Sequence, residues 1–295
     1  MGVDRMAPNP DATVSRLRLC NVLREARDSA GLTQRQVAEI LDWSQSKIIR
    51  IERGQVGVSR TDLLALLNTY GIVDQQRVAE IIALAEQSKR QDWVKYRDVL
   101  NSDFRTYLGL EGAALVIRQF ELTFVPGLLQ TNEYARCVIH ALAPPHESEK
   151  IQQRQVEARM ARQSIIDRED PPQMHFMLDE AVLRRGVDDV PGAAGIMRRQ
   201  LHRLKELDER PHIHIHVVPF ASGIHLGMLG PFVILEFPEP GDDDLLFLEK
   251  GRKARATRDA LAEIKRYKHI FWGLESVIDR RPLGEVLDQV LRDLP

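Results

Sequence analysis

The sequence predicts an all-α domain at the N-terminus, followed by an α+β domain with a partly antiparallel sheet. The length of 295 residues is about twice that of a common domain. Closely spaced helical patterns fill residues 15–88, and strand and helix patterns then alternate over residues 111–295. We therefore expect two domains, with a polar, disordered lead over residues 1–14 and a helical connector over residues 89–110.

The bulk composition is that of an ordinary globular protein. Hydrophobic residues make up 43% of the chain, charged residues 28%, and the formal net charge is −2. This balance indicates no overall attraction to nucleic acid or membrane, so a basic surface must be local. Cys20 and Cys137 lie in separate helical patterns, which argues against a disulfide framework. Without a signal-peptide or membrane-span pattern, we expect a cytoplasmic protein that does not contact the membrane.

The N-terminal domain is predicted to contain five short helices. Their first residues or N-caps are, in order, Ser15, Thr33, Ser44, Ser59 and Asp74. The second and third helices have about nine residues each and are joined by a short turn, which is the spacing of a helix-turn-helix unit. The second helix of such a unit lies in the major groove of DNA. On spacing alone, a generic helical bundle is an equal alternative.

Residue identities favour the DNA-binding interpretation. The string GLTQRQVAEILDWSQSKIIRIERG, residues 31–54, resembles the Xre or lambda-repressor-like family, and the resemblance covers roughly residues 15–73. Asp42 replaces the glycine that is usual in the turn, and aspartate tolerates left-handed backbone better than most residues. Between Arg16 and Arg60, nine Lys or Arg residues exceed five acidic residues by four, a surplus that suits phosphate contact.

The resemblance also implies roles for side chains on the third helix. It places Gln45, Ser46 and Arg50 at base-reading positions. Glutamine can bond adenine with two hydrogen bonds, arginine can do the same with guanine, and serine is unselective. The same alignment pairs Arg27 with Glu52 as a structural ion pair. We interpret this pair as one that orients the base-reading helix.

Four further residues are expected to contact the DNA backbone. The resemblance places Gln34 near a phosphate, at the N-terminus of the second helix, where backbone N–H groups favour an anion. Lys47, Arg53 and Arg60 supply positive charge on and after the third helix. For each basic residue, a solvated helix face is the alternative.

The second domain reads as a mixture of strands and helices. The expected strands are residues 114–122, 173–179, 212–220, 231–237 and 245–249. The expected helices are residues 131–143, 148–167, 180–185, 191–209, 254–274 and 283–294. The last three strands are joined by connections too short for helical crossovers, so we expect antiparallel pairing there. The string GIHLGMLG, residues 223–230, is interpreted as a hairpin connection because it does not open a helix as a phosphate loop would.

From about residue 93 onward the chain resembles a domain of unknown function. This domain follows Xre-type DNA-binding domains in many actinobacterial regulators, including the WhiJ-like group. Strings such as VPGLLQTNEYAR, residues 125–136, and LEKGRKA, residues 248–254, carry the resemblance. It implies a transcriptional regulator, often encoded beside a small partner protein. It supplies no established ligand, cofactor or catalytic residue.

The string HIHIH, residues 212–216, raises the question of a metal site. In a strand, His212, His214 and His216 share one face, and the isoleucines between them lie on the other. A half-buried strand with its isoleucines inward explains this pattern without a metal, and we favour that interpretation. The alternative is a metal-dependent enzyme or metal sensor that uses His214 and His216 with a carboxylate or His225.

We therefore expect a non-enzymatic, sequence-specific DNA-binding transcriptional regulator that acts as a homodimer and needs no cofactor. The domain at residues 111–295 is expected to sense a ligand or bind a protein, and to supply most of the dimer interface. Its partners would be double-stranded DNA, a second copy, and either a small protein encoded nearby or a small-molecule effector. An antitoxin-like protein with autoregulatory DNA binding needs the same two domains and remains the main alternative.

Overall fold

The chain divides between Lys95 and Tyr96 into two units in the computed structural model. The residues that the structure describes are 12–52, 56–88, 93–187, 195–237, 244–250, 253–257 and 261–294. Within them, the first unit is helical and the second combines helices with a mixed sheet, which confirms the predicted fold class. Of the expected lead, residues 1–11 lie outside the described residues, and the first helix begins at Ala12.

Within the described residues, the first unit consists of five helices. The helices are α1 (Ala12–Ser29), α2 (Gln34–Leu41), α3 (Gln45–Glu52), α4 (Arg60–Thr69) and α5 (Gln75–Gln87). The side chains of Thr33, Ser59 and Asp74 each accept a hydrogen bond from the backbone three residues later, as N-caps do. Leucines and isoleucines from successive helices meet in one core, where Leu23 and Ile48 are each 1% exposed.

A buried carboxylate joins three of these helices. Glu52, at the end of α3, is 2% exposed and accepts a hydrogen bond from Arg27 Nε of α1 at 2.7 Å. Gln34 Nε2 of α2 donates to the other carboxylate oxygen, also at 2.7 Å. Arg27 Nη1 donates in addition to the carbonyl of Leu32, in the segment between α1 and α2. The carboxylate therefore has two hydrogen-bonded partners on two different helices, as a buried charge requires.

The second unit contains seven helices and six strands. The helices are α6 (Ser102–Glu111), α7 (Asn132–Leu142), α8 (Glu149–Arg162), α9 (Glu180–Arg184), α10 (Ile196–Asp208), α11 (Leu261–Leu274) and α12 (Leu283–Asp293). The strands are β1 (Val116–Glu121), β2 (Gln173–Asp179), β3 (Ile213–Val218), β4 (Phe232–Glu236), β5 (Leu245–Lys250) and β6 (Lys253–Thr257). Both counts refer to the described residues.

The sheet has the strand order β3-β2-β1-β4-β5-β6. The strands β1, β2 and β3 are parallel, whereas β4, β5 and β6 alternate in direction from β1 outward. The expected hairpin over residues 223–230 is therefore wrong, because β2 and β1 lie between β3 and β4. The connection at residues 219–231 instead crosses two strands, a distance of about 14 Å at the usual strand spacing. We call this connection the crossing loop.

The expected helix over residues 254–274 was wrong in its first part. The segment Lys253–Thr257 is the strand β6, antiparallel to β5, and α11 begins only at Leu261. Lys250 and Lys253 are paired, so only Gly251 and Arg252 separate the two strands in sequence. A two-residue connection that contains glycine is typical of a β-hairpin. The prediction of a helix over these residues did not take this signal into account.

Side-chain alternation gives the sheet two different faces. On one face, Phe120, Phe232 and Ile234 pack with Ile264 and Phe271 of α11. On the other face, Phe247 of β5 stacks on Tyr107 of α6, with ring centroids 4.1 Å apart. The helix α6 falls in the segment expected to be a connector, and it contributes buried side chains to the second unit.

The outward edge of β3 is covered by local groups. The N–H of Ile213 donates to the carbonyl of Arg210, and the N–H of Ile215 donates to Asp208 Oδ1. The carbonyl of Val217 accepts from the N–H of Asp279 at 2.8 Å. Three of the backbone groups that an edge strand would expose are thus bonded within the unit.

The histidine-rich strand buries its aliphatic residues. Ile213, Ile215 and Val217 are at most 3% exposed, as the alternation predicts. The histidines lie half-buried on the opposite face, where the His214 ring stacks on His175 of β2 with centroids 4.9 Å apart. Burial, the Arg118 guanidinium and the neighbouring histidines together lower the pKa of His175 to about 4. Burial also lowers the pKa of His216.

We expect Glu52→Ala to lower the free energy of unfolding by about 3 kcal/mol, because it removes the buried acceptor that Arg27 and Gln34 share. Urea denaturation of the purified protein measures this change. Glu39→Ala is the matched control, since its ion pair with Arg35 has side chains 60% and 78% exposed. The control is expected to change stability by at most about 0.5 kcal/mol. Equal effects of the two substitutions would contradict the assigned role of Glu52.

We also expect stability to fall as the pH drops from about 6.5 toward 4, in part because of His175. Its folded pKa of about 4 lies below the ordinary value of 6.5, so in this window the unfolded chain binds a proton that the folded chain does not. His175→Asn should reduce this pH dependence in urea denaturation. His202→Asn, at an exposed position on α10, should retain it. A parent-like pH profile for His175→Asn would refute the assignment.

Candidate nucleic-acid interface

The helices α2 and α3 form a compact pair joined by a three-residue turn. Thr33 and Gln36 make a reciprocal capping box at the start of α2. The helix ends at Asp42, whose backbone is left-handed at φ 52° and ψ 44°. Trp43 then donates its N–H to the carbonyl of Ala38 at 2.8 Å, and Ser44 caps α3 through the N–H of Lys47. Aspartate thus adopts the left-handed conformation that the turn requires.

One face of α3 is fixed by the core and the other is open to solvent. Ile48 and Ile51 are 1% and 4% exposed, and they point into the core of the first unit. Gln45, Ser46 and Arg50 are exposed. The three predicted base-reading residues therefore lie on a rigid helix whose buried face determines its orientation.

The residues expected to contact phosphate differ in how available they are for such a contact. Arg60 is exposed at the first position of α4. Gln34 uses its side-chain amide to bind Glu52, so only its backbone N–H, at the N-terminus of α2, is left for a phosphate. Arg53 lies outside the described residues.

Lys47 is held by two contacts that the sequence analysis did not foresee. Its Nζ lies 3.1 Å from Asp62 Oδ1 of α4 and 3.5 Å from the centroid of the Trp43 ring. Trp43 lies in the turn two residues before α3, so helical spacing gave no signal for its contact with Lys47. The pairing with Asp62 depends on how α3 and α4 pack. An ammonium group positioned in this way is oriented before any DNA arrives.

The histidine strand was the alternative candidate site. Within the described residues, no group of three or more His, Cys, Asp or Glu side chains is placed to hold a metal ion. His225, the possible third ligand, lies beside Asp179, with Nε2 3.6 Å from the carboxylate Oδ2. The side chains of these two residues are 6% and 10% exposed. His225 thus anchors the crossing loop to the end of β2.

A cavity of about 410 Å³ lies among α6, α7 and α8 in the second unit. Its walls are largely aliphatic and aromatic, including Leu100, Phe104 and Val138. The charged residues Arg159, Arg162 and Glu147 also line it. Arg162 donates to the buried Glu111 carboxylate at 2.6 Å. Apolar walls with a few polar groups are the usual make-up of a small-molecule site.

Among the described residues, no helix has the length and apolar character needed to cross a membrane.

Comparison with known proteins gives two matches, one in each unit. Residues 18–81 match a family described as a helix-turn-helix domain, the class of domain that binds DNA and is common in regulators. Residues 104–277 match a family described as a domain of unknown function, DUF5753. No curated protein and no solved structure matches the chain. Because the second match spans more than half of the sequence, the chain belongs to the DUF5753 family, with a helix-turn-helix domain at its N-terminus.

Proposed function

We propose that the protein is a sequence-specific transcriptional regulator of the Xre type that binds its operator as a homodimer. The observation that carries this proposal is the exposed face of α3, with Gln45, Ser46 and Arg50 open to solvent on a helix fixed from behind. The helix-turn-helix match supports a DNA-binding regulator in general. We propose in addition that binding is sequence-specific, that the protein dimerises, and that its second domain senses a ligand or a protein.

The bases of the operator would be recognised by the long side chains of Arg50 and Gln45 and the short side chain of Ser46. Arg50 presents a planar guanidinium that can donate two hydrogen bonds to O6 and N7 of guanine. Gln45, in the first turn of α3, can bond the N6 and N7 edge of adenine. Ser46 would contact either a base or the sugar-phosphate backbone. A helix inserted into the major groove brings its N-terminal residues to the base edges, and all three lie in the first six positions of α3.

Backbone contacts would place this helix in the groove. Lys47, Arg60 and Arg53 are proposed as phosphate-contacting residues, together with the backbone N–H of Gln34 at the α2 N-terminus. The Lys47 Nζ already lies 3.1 Å from the Asp62 carboxylate. It would therefore have to interact with both this carboxylate and a phosphate. The modest basic surplus of the domain leaves much of the affinity to base contacts and to pairing of two copies.

A homodimer follows from the limited contacts of one recognition helix. A single copy would bind weakly against the large excess of non-specific genomic sites. Two helices on half-sites about one helical turn apart are the usual solution. We propose that the domain at residues 111–295 supplies most of the dimer interface. An effector or protein bound there would then change the spacing of the two helices and so the affinity for DNA.

The cavity among α6, α7 and α8 supports sensing of a small molecule. Its volume of about 410 Å³ suits a ligand of moderate size. The apolar walls would hold a hydrophobic body, and the guanidinium of Arg159 would attract an anionic group. We therefore propose an amphipathic organic acid as the class of effector.

We expect Gln45→Ala and Arg50→Ala each to cost about 1 to 3 kcal/mol on the cognate operator and to relax selectivity at one base pair. The operator would first be selected from random duplexes with the parent protein. Fluorescence anisotropy then gives affinities for the operator and its single-base variants at fixed salt. Arg77→Ala is the matched control, since Arg77 is an exposed arginine on α5 of the same unit. If both test variants match the parent on every duplex, α3 is not the recognition helix.

We expect the fluorescent organic anion 1-anilinonaphthalene-8-sulfonate to bind once per chain in the cavity. Ala143→Trp should weaken this binding about tenfold, because Ala143 lines the cavity and an indole there narrows the space. Ala141→Trp, at an exposed position near the end of α7 and two residues before Ala143, is the control and should leave binding unchanged. Fluorescence titration at constant protein concentration measures both. Equal binding by the two variants would exclude this cavity as the site for such an anion.

A further inference from the structure

The crossing loop exposes an unusual amount of apolar surface. It runs from Pro219 to Pro231 and passes over the carboxyl ends of β1 and β2. Five of its large apolar residues are exposed by half or more: Phe220 58%, Ile224 96%, Leu226 56%, Met228 52% and Leu229 63%. Single exposed apolar residues are common, but five within ten positions form a patch that marks an interaction site. We call these five residues the loop patch.

The loop is held firmly on the sheet while it exposes these side chains. Gly227 packs against the Phe120 ring so closely that a Cβ there would lie 2.6 Å from it. The N–H of Phe220 donates to Glu180 Oε2 at 2.8 Å, and Ser222 Oγ donates to the carbonyl of Val277 at 2.9 Å. Two short 3-10 segments and the buried His225 side chain complete the anchoring. The patch is therefore ordered before binding, which lowers the entropy that a partner must remove.

The size of the patch is appropriate for a dimer contact. At the exposures given above, the five side chains present roughly 600 Å² of surface, close to the smallest area that one partner contributes to a specific interface. Neighbouring rim residues would add to this area in a complex. The patch also equals the largest apolar patches found on typical monomers, and these are often functional.

The charge of the loop favours a second copy of the chain as the occupant. No Asp, Glu, Lys or Arg occurs between Pro219 and Pro231. In a two-fold contact each patch meets the same patch on the other protomer, so a charge near the two-fold axis would face a like charge. A neutral apolar patch avoids that repulsion. Its neutrality also makes it unsuited to nucleic acid, which is bound through positive charge.

We propose that the loop patch is the two-fold contact through which two copies of this chain dimerise. The inference rests on the proposed homodimeric function and deepens it by assigning the contact surface. Ile224, at the most exposed point of the loop, is the side chain that gains most by leaving water. The loop is continuous with β3 and β4, so the contact connects directly to the sheet.

The test uses full-length protein in sedimentation velocity from 0.1 to 50 µM. We expect the parent to be dimeric at 10 µM and Ile224→Asp to raise the dimer dissociation constant at least 100-fold. Ile224→Leu should remain dimeric. The matched control is Leu115→Asp, because Leu115 is another exposed leucine of the second unit, at 53% exposure, and lies outside the crossing loop. Circular dichroism melting of each variant reports whether the fold is retained, and Ile224 is so exposed that we expect no change.

Two results would overturn the proposal, and they have different meanings. A dimeric parent with an equally dimeric Ile224→Asp variant would place the interface elsewhere and leave the homodimeric regulator intact. A monomeric parent would remove both the patch contact and the homodimer from the proposed function. Flotation of that monomer with phosphatidylcholine vesicles, or its capture by another protein, would assign the patch to a different occupant.

Discussion

The buried carboxylate of Glu52 determines how the helix-turn-helix unit is assembled. It accepts hydrogen bonds from Arg27 on α1 and Gln34 on α2, and it closes the C-terminal end of α3. The helices α2 and α3 have only eight residues each, so their packing contacts alone leave freedom in the angle of α3. A charge that must remain paired removes part of this freedom, because rotation of α3 would break both bonds. The direction in which Gln45 and Arg50 point therefore depends on a buried acid at the C-terminal end of the same helix.

The helices of the first unit were predicted well because capping residues mark the ends of short helices in the sequence. Thr33, Ser59 and Asp74 cap their helices as expected, and Asp42 takes the left-handed conformation in the turn. The sequence could not show that the Gln34 amide is engaged by Glu52. A contact between residues far apart in the chain depends on tertiary packing, and a single sequence carries no direct record of it.

In the second unit, the residue pattern of a strand specifies which of its faces is buried, but not which strands are its neighbours. Alternation assigned the buried face of β3 correctly, since each strand carries that information in its own residues. It did not specify which strands are neighbours. The short distance in sequence between β3 and β4 suggested a hairpin, but two strands formed earlier in the chain lie between them. The strand β6 was missed because its few alternating residues run directly into the pattern of α11. The apolar loop patch was visible as composition, but its exposure became evident only once the crossing was known.

The covered edge of β3 has a consequence for the behaviour of the protein at high concentration. Bare peptide groups along an outer strand can template the addition of identical strands, which is how soluble sheets convert into fibrillar aggregates. Here Arg210, Asp208 and Asp279 already occupy three of those groups. Polymerisation through β3 would first require these bonds to break. The exposed apolar loop therefore follows directly after an edge strand, β3, whose outward peptide groups are already partly occupied.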